Sequence, residues 1–566
     1  MKHILAALMG LIIMNPVVIL AWQENGVVIC DDLSLQSNPV IASDDVYGAI
    51  ITWVDHRGGS YDIYAQRVDS SGVRLWTPEN GVVICDTVGT QKSCKIVSDG
   101  SSGAIITWRN DNSDWNIYAQ RVNSLGERQW SPLNGVLICV DDFLHSLWHY
   151  ETIASSSGEA IIVWKDTEGG GAPGIIYAQK VNSSGILPWG SSSKVVSNAS
   201  EYAKDPIGVA DGSGGAIIVW WDERAQSPDN SFDIYAQKIN SDGNRQWGTT
   251  DLCICNNVYD QQNSSIVSDG SGGAIITWDD DVNGNGSYYE VFAQRVNSSG
   301  MLEWDLYGVC ICDEISLNPE IVSDGSGGAI IVWQDYRSSS NLDIYAQKVN
   351  SSGISQWEAN GICICNAVGN QTHHKIIADG PGGAIITWDD ERDGRHDIYA
   401  QRIDGDGNIH SGWDLNGVPV CDITNSGFTG IHPQIVTDGL GGTIITWRDL
   451  RNPDNNGDVY AQRITSEVYV GVDDTPEYQI RVKLYQNYPN PFNPKTIISY
   501  SLPKASDVKI MIYNIKGELI ETLVESKKPF GYHTIDWNAK DIASGIYFYK
   551  LQAGENTFIR KMIQMK

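Results

Sequence analysis

The chain has 566 residues, with 69 acidic against 39 basic side chains and a formal net charge of −30. Its length leaves room for one large body plus a smaller unit, and its acidity argues against nucleic acid or anionic lipid as partners. The charge is uneven. From Leu484 onward 11 Lys and Arg stand against 7 Asp and Glu, net +4, so the preceding part carries 28 against 62, net −34. A body this acidic suits soluble life outside the cell and can gather divalent cations.

Residues 1–21, MKHILAALMGLIIMNPVVILA, combine a basic start, an apolar run and a small residue at Ala21, the pattern of a secretory signal peptide. A membrane anchor is the rival reading. Asn15-Pro16 interrupts the apolar run, and a mature chain starting at Trp22 would begin in phase with the WxxNGV of the repeats that follow.

Those repeats organise the chain. The stretch Ser323 to Trp357 has close relatives eight times over, and the Trp that ends its apolar run falls at Trp53, Trp108, Trp164, Trp220, Trp278, Trp333, Trp388 and Trp447, with spacings of 55, 56, 56, 58, 55, 55 and 59. That period is too long for most helical solenoids. Four short strands are predicted per unit: Glu320 to Ser323, Ala329 to Trp333, Asp343 to Asn350, and a GVxIC strand such as Gly308 to Cys312 or Gly361 to Cys365. DGSGG and NSSG turns separate them. AIIVW is apolar without alternation, as expected of a strand buried on both faces. Four strands per repeat, repeated radially, predict a β-propeller.

Closure fixes the count. The last repeat runs into TSEVYVGVDD where a GVxIC strand should follow, while Gly26 to Cys30, GVVIC, precedes the first full repeat without a unit of its own. Returning it across about 430 residues costs on the order of 5 kcal/mol of loop entropy, which strand pairing on an apolar sheet can offset. The expectation is an all-β, eight-bladed propeller over 22–465 closed by an N-terminal strand, with seven blades plus a decorated extra as the lesser alternative.

The 11 Cys of an exported chain invite a disulfide reading. Cys30, Cys85, Cys139, Cys255, Cys312, Cys365 and Cys421, however, occupy one place in successive GVxIC strands and so fall in different units. They are read as small buried hydrophobes, with Cys85 and Cys94 the local pair to check. WxDxR followed by Asp-Ile-Tyr recurs in five units, for example as Asp335/Arg337/Asp343. Recurrence marks a structural ion pair, and the eight Trp are likewise read as core. The variable segments follow the Trp and the GVxIC strand, on the same side of a four-stranded blade, so function is expected on that face.

One variable loop carries a sharper pattern. Asp279-Asp280-Asp281-Val282-Asn283-Gly284-Asn285-Gly286-Ser287-Tyr288-Tyr289-Glu290 fits the twelve-residue calcium loop D-x-[DN]-x-[DN]-G-x₅-E. Asp279, Asp281, Asn283 and Glu290 would supply side-chain oxygens and Asn285 a backbone carbonyl. It resembles an EF-hand loop set between strands rather than helices, and the competing reading is an acidic hairpin in which Glu290 replaces the usual Asp. Asp389-x-Glu391-x-Asp393-Gly394 is a weaker echo. No GxSxG, HExxH or Walker loop is present. His145 and His149 would bind zinc only from a helix, and His373-His374 reads as a surface pair.

Residues 466–483 lose the repeat and read as a linker. After them come Tyr485-Gln486-Asn487-Tyr488-Pro489-Asn490-Pro491-Phe492-Asn493-Pro494 and five alternating strands, a small sandwich over 484–566. NYPNPFNP, IYNIKGELI, SGIYFYKL and the basic end Lys561 to Lys566 closely resemble the C-terminal sorting domain of the bacterial type IX secretion system, which overlaps with the FlgD-like immunoglobulin fold. That resemblance implies export to the outer surface or medium, with the secretion machinery as partner. The repeats resemble GGAIxxWxDxR…DIYAQR propeller repeats of large bacterial surface proteins, which implies an architecture and no activity. The combined expectation is a secreted or surface-displayed propeller that binds a macromolecule, protein or polysaccharide, and not an enzyme. The alternative is a propeller glycosidase or polysaccharide lyase, which needs singular carboxylates or a His/Tyr/Arg set at the mouth of the central channel.

Overall fold

A computed structural model describes residues 17–20, 22–23, 25–111, 115–139, 149–167, 174–197, 203–223, 231–286, 288–380, 382–422, 430–452, 457–469, 483–484, 487, 490, 492, 494–502, 506–528, 531–540, 542–554 and 556–564. The chain divides into two compact units, Met1–Val470 and Gly471–Lys566. Among the described residues all regular structure is strand, and no helix is long and apolar enough to cross a membrane. Most of the expected signal peptide (1–16 and 21) and of the expected linker (470–482) lies outside the described residues.

Among the described residues the first unit contains eight antiparallel sheets, seven of four strands and one of five. The sheet of the reference repeat is built in order from Ser316–Ser323, Ala329–Asp335, Asp343–Val349 and Ile362–Cys365. Every side chain of Ala329–Asp335 is buried, as its unbroken apolar run predicts, because the strand has a sheet on each side. Ile331 and Trp333 pack with Ile275 and Val291 of the preceding sheet, while Ile330 and Val332 pack with Ile376 and Ile386 of the following one. All eight repeat Trp are at most 2% exposed. Gly361 shows why the strand-four entry is glycine: its φ is +82°, and a Cβ there would lie 2.5 Å from the Trp333 ring.

The first strand is longer than its sequence suggests. Ser316–Ser323 begins four residues before the expected Glu320, with a register shift between Leu317 and Glu320 and Asn318 at φ +56°. The polar, bulged half lacks the alternation by which a strand is read from sequence. Equivalent shifts interrupt the first strands of six other sheets.

Contacts between first strands run from sheet to sheet and return from Gly430–Thr437 to Gln36–Ser43. Val27–Cys30 completes the last sheet by pairing with Asp458–Tyr469, Val27 opposite Ala461 and Cys30 opposite Val459. Ile29, Cys30, Trp53, Ile444 and Val459 form one core cluster between the last sheet and the first. The polar contacts match those inside the series. Trp22 Nε1 donates to Ser70 O at 3.0 Å and Arg463 Nη1 to the same oxygen at 3.1 Å, as Trp76 and Arg67 donate to Ser124 O one sheet on. Val17–Leu20, inside the expected signal peptide, pairs with the far end of Asp458–Tyr469.

The recurring WxDxR residues form a buried node. Trp333 Nε1 donates to Asp335 Oδ2 at 2.9 Å, and Arg337 grips the same carboxylate through Nε and Nη2 at 2.7 and 2.6 Å. Nη2 also donates to Asn360 O at 2.8 Å and lies 3.6 Å from Cys312 Sγ of the preceding sheet, while the guanidinium stacks 3.9 Å from the Tyr345 ring centre. The same arrangement recurs around Arg57, Arg392 and Arg451. Arg451 reaches Asn25 O at 2.8 Å, so the N-terminal segment supplies the last node as the local Asn does elsewhere. Arg224 of the fifth WxDxR lies outside the described residues.

The third member of the expected triplet stands apart from the ion pair. Asp343 accepts from Asn341 Nδ2 at 2.5 Å, and burial, then the Asp335 charge, push its carboxyl up to about 6. All 11 cysteines are free thiols, Cys85 and Cys94 included. Burial raises the thiols of Cys30, Cys94 and Cys365 to about 12, so they remain protonated packing groups.

The second unit has a three-stranded sheet, Lys483–Leu484, Lys495–Leu502 and Gly531–Asn538, and a four-stranded one in the order Leu519–Lys528, Ser506–Asn514, Gly545–Ala553, Asn556–Gln564. Both sheets contribute to one core of Ile498, Tyr500, Ile510, Trp537, Tyr549 and Met562. Phe492 bridges Gln564 in parallel and Asn487 N donates to Tyr549 Oη at 2.7 Å, so the proline-rich entry is stitched to the sandwich rather than trailing from it.

Two outcomes follow. Deleting Trp22–Cys30 removes a strand and the contacts of Trp22, Asn25 and Cys30, and is expected to lower the thermal midpoint by several degrees, whereas truncation at Leu484 leaves the main transition in place. Equal midpoints of the two truncated proteins in calorimetry would contradict strand closure. Asp343 holds a proton in the folded state that the unfolded chain releases near pH 4, so its contribution is full below that pH and is lost as pH rises to about 6. Asp343→Asn should therefore gain stability relative to the parent above pH 6, on the order of 1 kcal/mol, with the gain vanishing at pH 4 in parallel urea titrations.

Candidate functional site

What differs between repeats gathers where first strands begin and second strands end. The residue after each repeat Trp is Val54, Arg109, Lys165, Trp221, Asp279, Gln334, Asp389 or Arg448, so nearly identical strands present a different side chain in almost every sheet. Facing them are the bulge residues of the first strands. Asn38, Ser93, Asp205, Asn263, Asn318, His373 and His432 all have φ between 48° and 57°.

The two Asp that follow a repeat Trp, Asp279 and Asp389, make the same clamp between sheets. Asp279 Oδ2 accepts from Asn263 Nδ2 at 2.8 Å and from the backbone N of Asn318, in the next sheet, at 3.1 Å. Asp389 Oδ2 meets His373 Nδ1 at 2.9 Å, and its Oδ1 accepts from the backbone N of His432, again in the next sheet, at 3.0 Å. The His373 and His432 rings stack at 4.2 Å between centres. The hydrogen bond to Asp389 raises His373, whereas burial and the neighbouring His373 lower His432. Expected to be a surface pair with His373, His374 is instead 3% exposed, and burial pushes it down to about 4. Adjacent residues of a strand point to opposite faces, so one imidazole lies outward and its neighbour inward.

Aromatic and basic groups occupy other parts of the ring. Lys204 Nζ sits 4.8 Å from the Trp221 ring centre and 4.2 Å from that of Phe232. His149 pairs with Asp205 at 2.6 Å; the expected partner of His149 in a metal pair, His145, lies outside the described residues. Lys95–Glu151 and Lys375–Glu320 are ion pairs between first strands of adjacent sheets. The Glu151 charge does most to hold Lys95 above its ordinary value, and Glu320, four sheets away, adds to it. A cavity of about 250 Å³ lined by Cys85, Trp108, Asn110 and Tyr118 lies at the second sheet's node position, where the repeat has Asn110 in place of Asp.

The twelve-residue acidic loop has its carboxylates engaged separately. Asp279 is fully buried in its clamp, and burial pushes it up to about 7. Asp281 accepts from the backbone N of Gly284 at 2.9 Å and of Gly286 at 2.8 Å. Glu290 stands opposite Asp280 in the ladder and 3.9 Å from Cys310 Sγ. Asn283 donates its backbone N to Asp281 at 3.3 Å, and Asn285 is in the same turn. Asp280 fills the node place of Asp335 without an Arg partner in its repeat, and burial raises it to about 6. In the weaker echo, Asp389 belongs to the histidine clamp, Glu391 pairs with His396 and Asp393 with Arg395.

Residues 486–565 match the family model described as a secretion system C-terminal sorting domain. The protein is exported by type IX secretion to the cell surface or the extracellular space. The comparison with curated proteins gave no match. Among solved structures the chain is similar to a protein of unknown function from Dyadobacter fermentans, at 7% identity over 57% of this chain and 95% of that one with a TM-score of 0.36. It is also similar to an endo-arabinase from Bacteroides thetaiotaomicron, at 14% identity over 45% and 91% with a TM-score of 0.24. A fungal alcohol oxidase matches at 10% identity over 85% and 100% with a TM-score of 0.38. At these TM-scores the likenesses decide nothing about this chain.

Proposed function

We propose that residues 22–465 form an eight-bladed β-propeller closed by the N-terminal strand, and that it works outside the cell by binding a macromolecular ligand, protein or polysaccharide, at the variable end of its ring of first strands. The observation that carries this reading is the contrast at Trp and its successor: the Trp is in all eight repeats, and the next residue is not. Recurring groups are used up in holding sheets together. Singular ones, such as Lys204 over the buried Trp221 ring and the half-buried Phe232 ring, give each part of the ring its own aromatic and charged character. In this reading residues 1–21 are a cleaved signal peptide and 484–566 an immunoglobulin-like sandwich recognised by the secretion machinery.

A glycosidase or polysaccharide lyase is the second reading, favoured by one observation: Asp279 and Asp389 are singular carboxylates, and Asp279 is raised to about 7, in the range of a general acid. Against it, Asp279 is fully buried and Asp389 is only 1% exposed, so neither carboxyl is open to a glycosidic oxygen. A glycan array probed with residues 22–465, run beside a reducing-sugar assay on the same panel, separates the two. Retention without new reducing ends is expected, and release of reducing ends would overturn the binding reading.

Calcium at Asp279, Asp281, Asn283, Asn285 and Glu290 is part of the same proposal. An ion there requires Asp279 to exchange Asn263 and Asn318 for the metal, with Asp281 released from its turn. Binding only the folded state would stabilise it by about 2.7 kcal/mol at a hundredfold excess over Kd, at roughly millimolar calcium. The melting point should rise in calcium relative to chelator, and Asp281→Ala and Glu290→Ala should each abolish the rise; an unchanged curve for the parent protein reduces the loop to an acidic hairpin. For the tail, removal of Leu484–Lys566 is expected to leave a folded body retained inside the outer membrane, and its appearance on the surface of a secretion-competent host would count against the sorting role.

A further inference from the structure

We infer that His373, Asp389 and His432 form a binding site for a divalent transition metal of the zinc class. Their ligand atoms, two imidazole nitrogens and a carboxylate oxygen, lie within 4.8 Å of one another, and no other such group occurs among the described residues. Donors about 2.1 Å from a tetrahedral zinc stand roughly 3.4 Å apart, so small side-chain rotations close the site around an ion. His373 Nδ1 and Asp389 Oδ2, hydrogen-bonded at 2.9 Å, would part by about half an ångström to become adjacent ligands, with the ion in place of the shared proton.

The comparison with the Asp279 clamp carries the inference. That clamp fastens two sheets in the same way with Asn263 and Asn318 at the flanking positions, so imidazoles are not needed to hold sheets together. At Asp389 both flanking residues are histidine, one in each sheet, and each ring is exposed while the carboxylate between them is buried. Two stacked imidazoles beside one carboxylate are a poor choice for packing and a good one for a borderline metal.

The charges agree. Among the described residues the ion pair of Asp389 is with His373, while Lys375 is taken by Glu320. The His432 ring makes no hydrogen bond among the described residues, its backbone N alone serving Asp389. The clamp bond from the His432 backbone N to Asp389 Oδ1 fixes the carboxylate as an outer contact would in a built site, and Oδ2, which meets His373 Nδ1, is the oxygen an ion would take over. Three protein ligands on an exposed rim leave coordination positions for water or for an oxygen of a bound ligand. This inference goes beyond macromolecular binding and stands independently of it.

The test uses the secreted full chain stripped with chelator, titrated with zinc by calorimetry and with cobalt by visible absorption. One equivalent is expected to bind in the micromolar range, with ligand-field bands for cobalt. The decisive variant is His373→Asn with His432→Asn, which copies the Asn263/Asn318 clamp. It should keep the parent melting point without metal and lose affinity at least a hundredfold, while His396→Ala binds as the parent does. Absence of binding by the parent at millimolar zinc, or affinity unchanged in the double Asn variant, would overturn the site. Because the readout is the metal, a failed glycan array would not touch it.

Discussion

The contact on which the large unit depends is the buried node of Trp, Asp and Arg that ends the second strand in the repeats of Arg57, Arg337, Arg392 and Arg451. A carboxylate with no exposure is costly unless it is paired and hydrogen-bonded. Here Asp335 receives the Trp333 indole N–H and a bidentate guanidinium, and the guanidinium in turn spans to Asn360 O and the Tyr345 ring. Because Cys312 of the preceding sheet closes the far side, each node sets the seating of one sheet on its neighbour. Removing a single Arg would strand a buried charge, a loss typically of 3–5 kcal/mol. The Asp280 node, which lacks that Arg, meets the same demand by raising the carboxyl to about 6.

Building stability from recurring parts frees the remaining positions. Trp, the small inter-sheet side chains and the Asp–Arg pair face neighbouring sheets, so they are fixed by packing. The position after the Trp and the bulged start of the first strand face the ring, where the side chain changes between most sheets. A bulge places one residue at positive φ and leaves ladder groups unpaired, which is how a backbone N–H such as that of His432 becomes available to an Asp of the next sheet. The clamps are therefore products of the bulge, and the bulge is what brings singular side chains from two sheets within bonding distance.

The second unit obeys a different logic. Its two sheets alternate inward and outward residues around one core, and its entry segment is held by side-chain bonds such as Asn490 Oδ1 with Ile563 N. Prolines cannot supply ladder hydrogen bonds, so the segment is fastened through its Asn and Phe residues instead. That gives physical content to the NYPNPFNP motif, in which Asn487, Asn490 and Phe492 do the fastening.

The sequence by itself determined the repeat count, the apolar strand that ends at each Trp, the offset strand at Gly26 to Cys30 and the sorting tail, because each rests on local pattern or on residues that recur in phase. Tertiary structure decided the rest. His373 and His374 look alike as neighbours, yet one lies exposed and the other buried, because packing of the sheets decides which strand face is covered. Asp279 and Asp281 fit a metal loop by spacing, yet their hydrogen bonds run to another sheet and to a turn. His373 and His432, 59 residues apart, meet only because consecutive first strands lie side by side. Spacing along the chain fixes which residues share a strand face, whereas contact across sheets depends on how bulges and nodes bring separate strands together, and no local pattern encodes that.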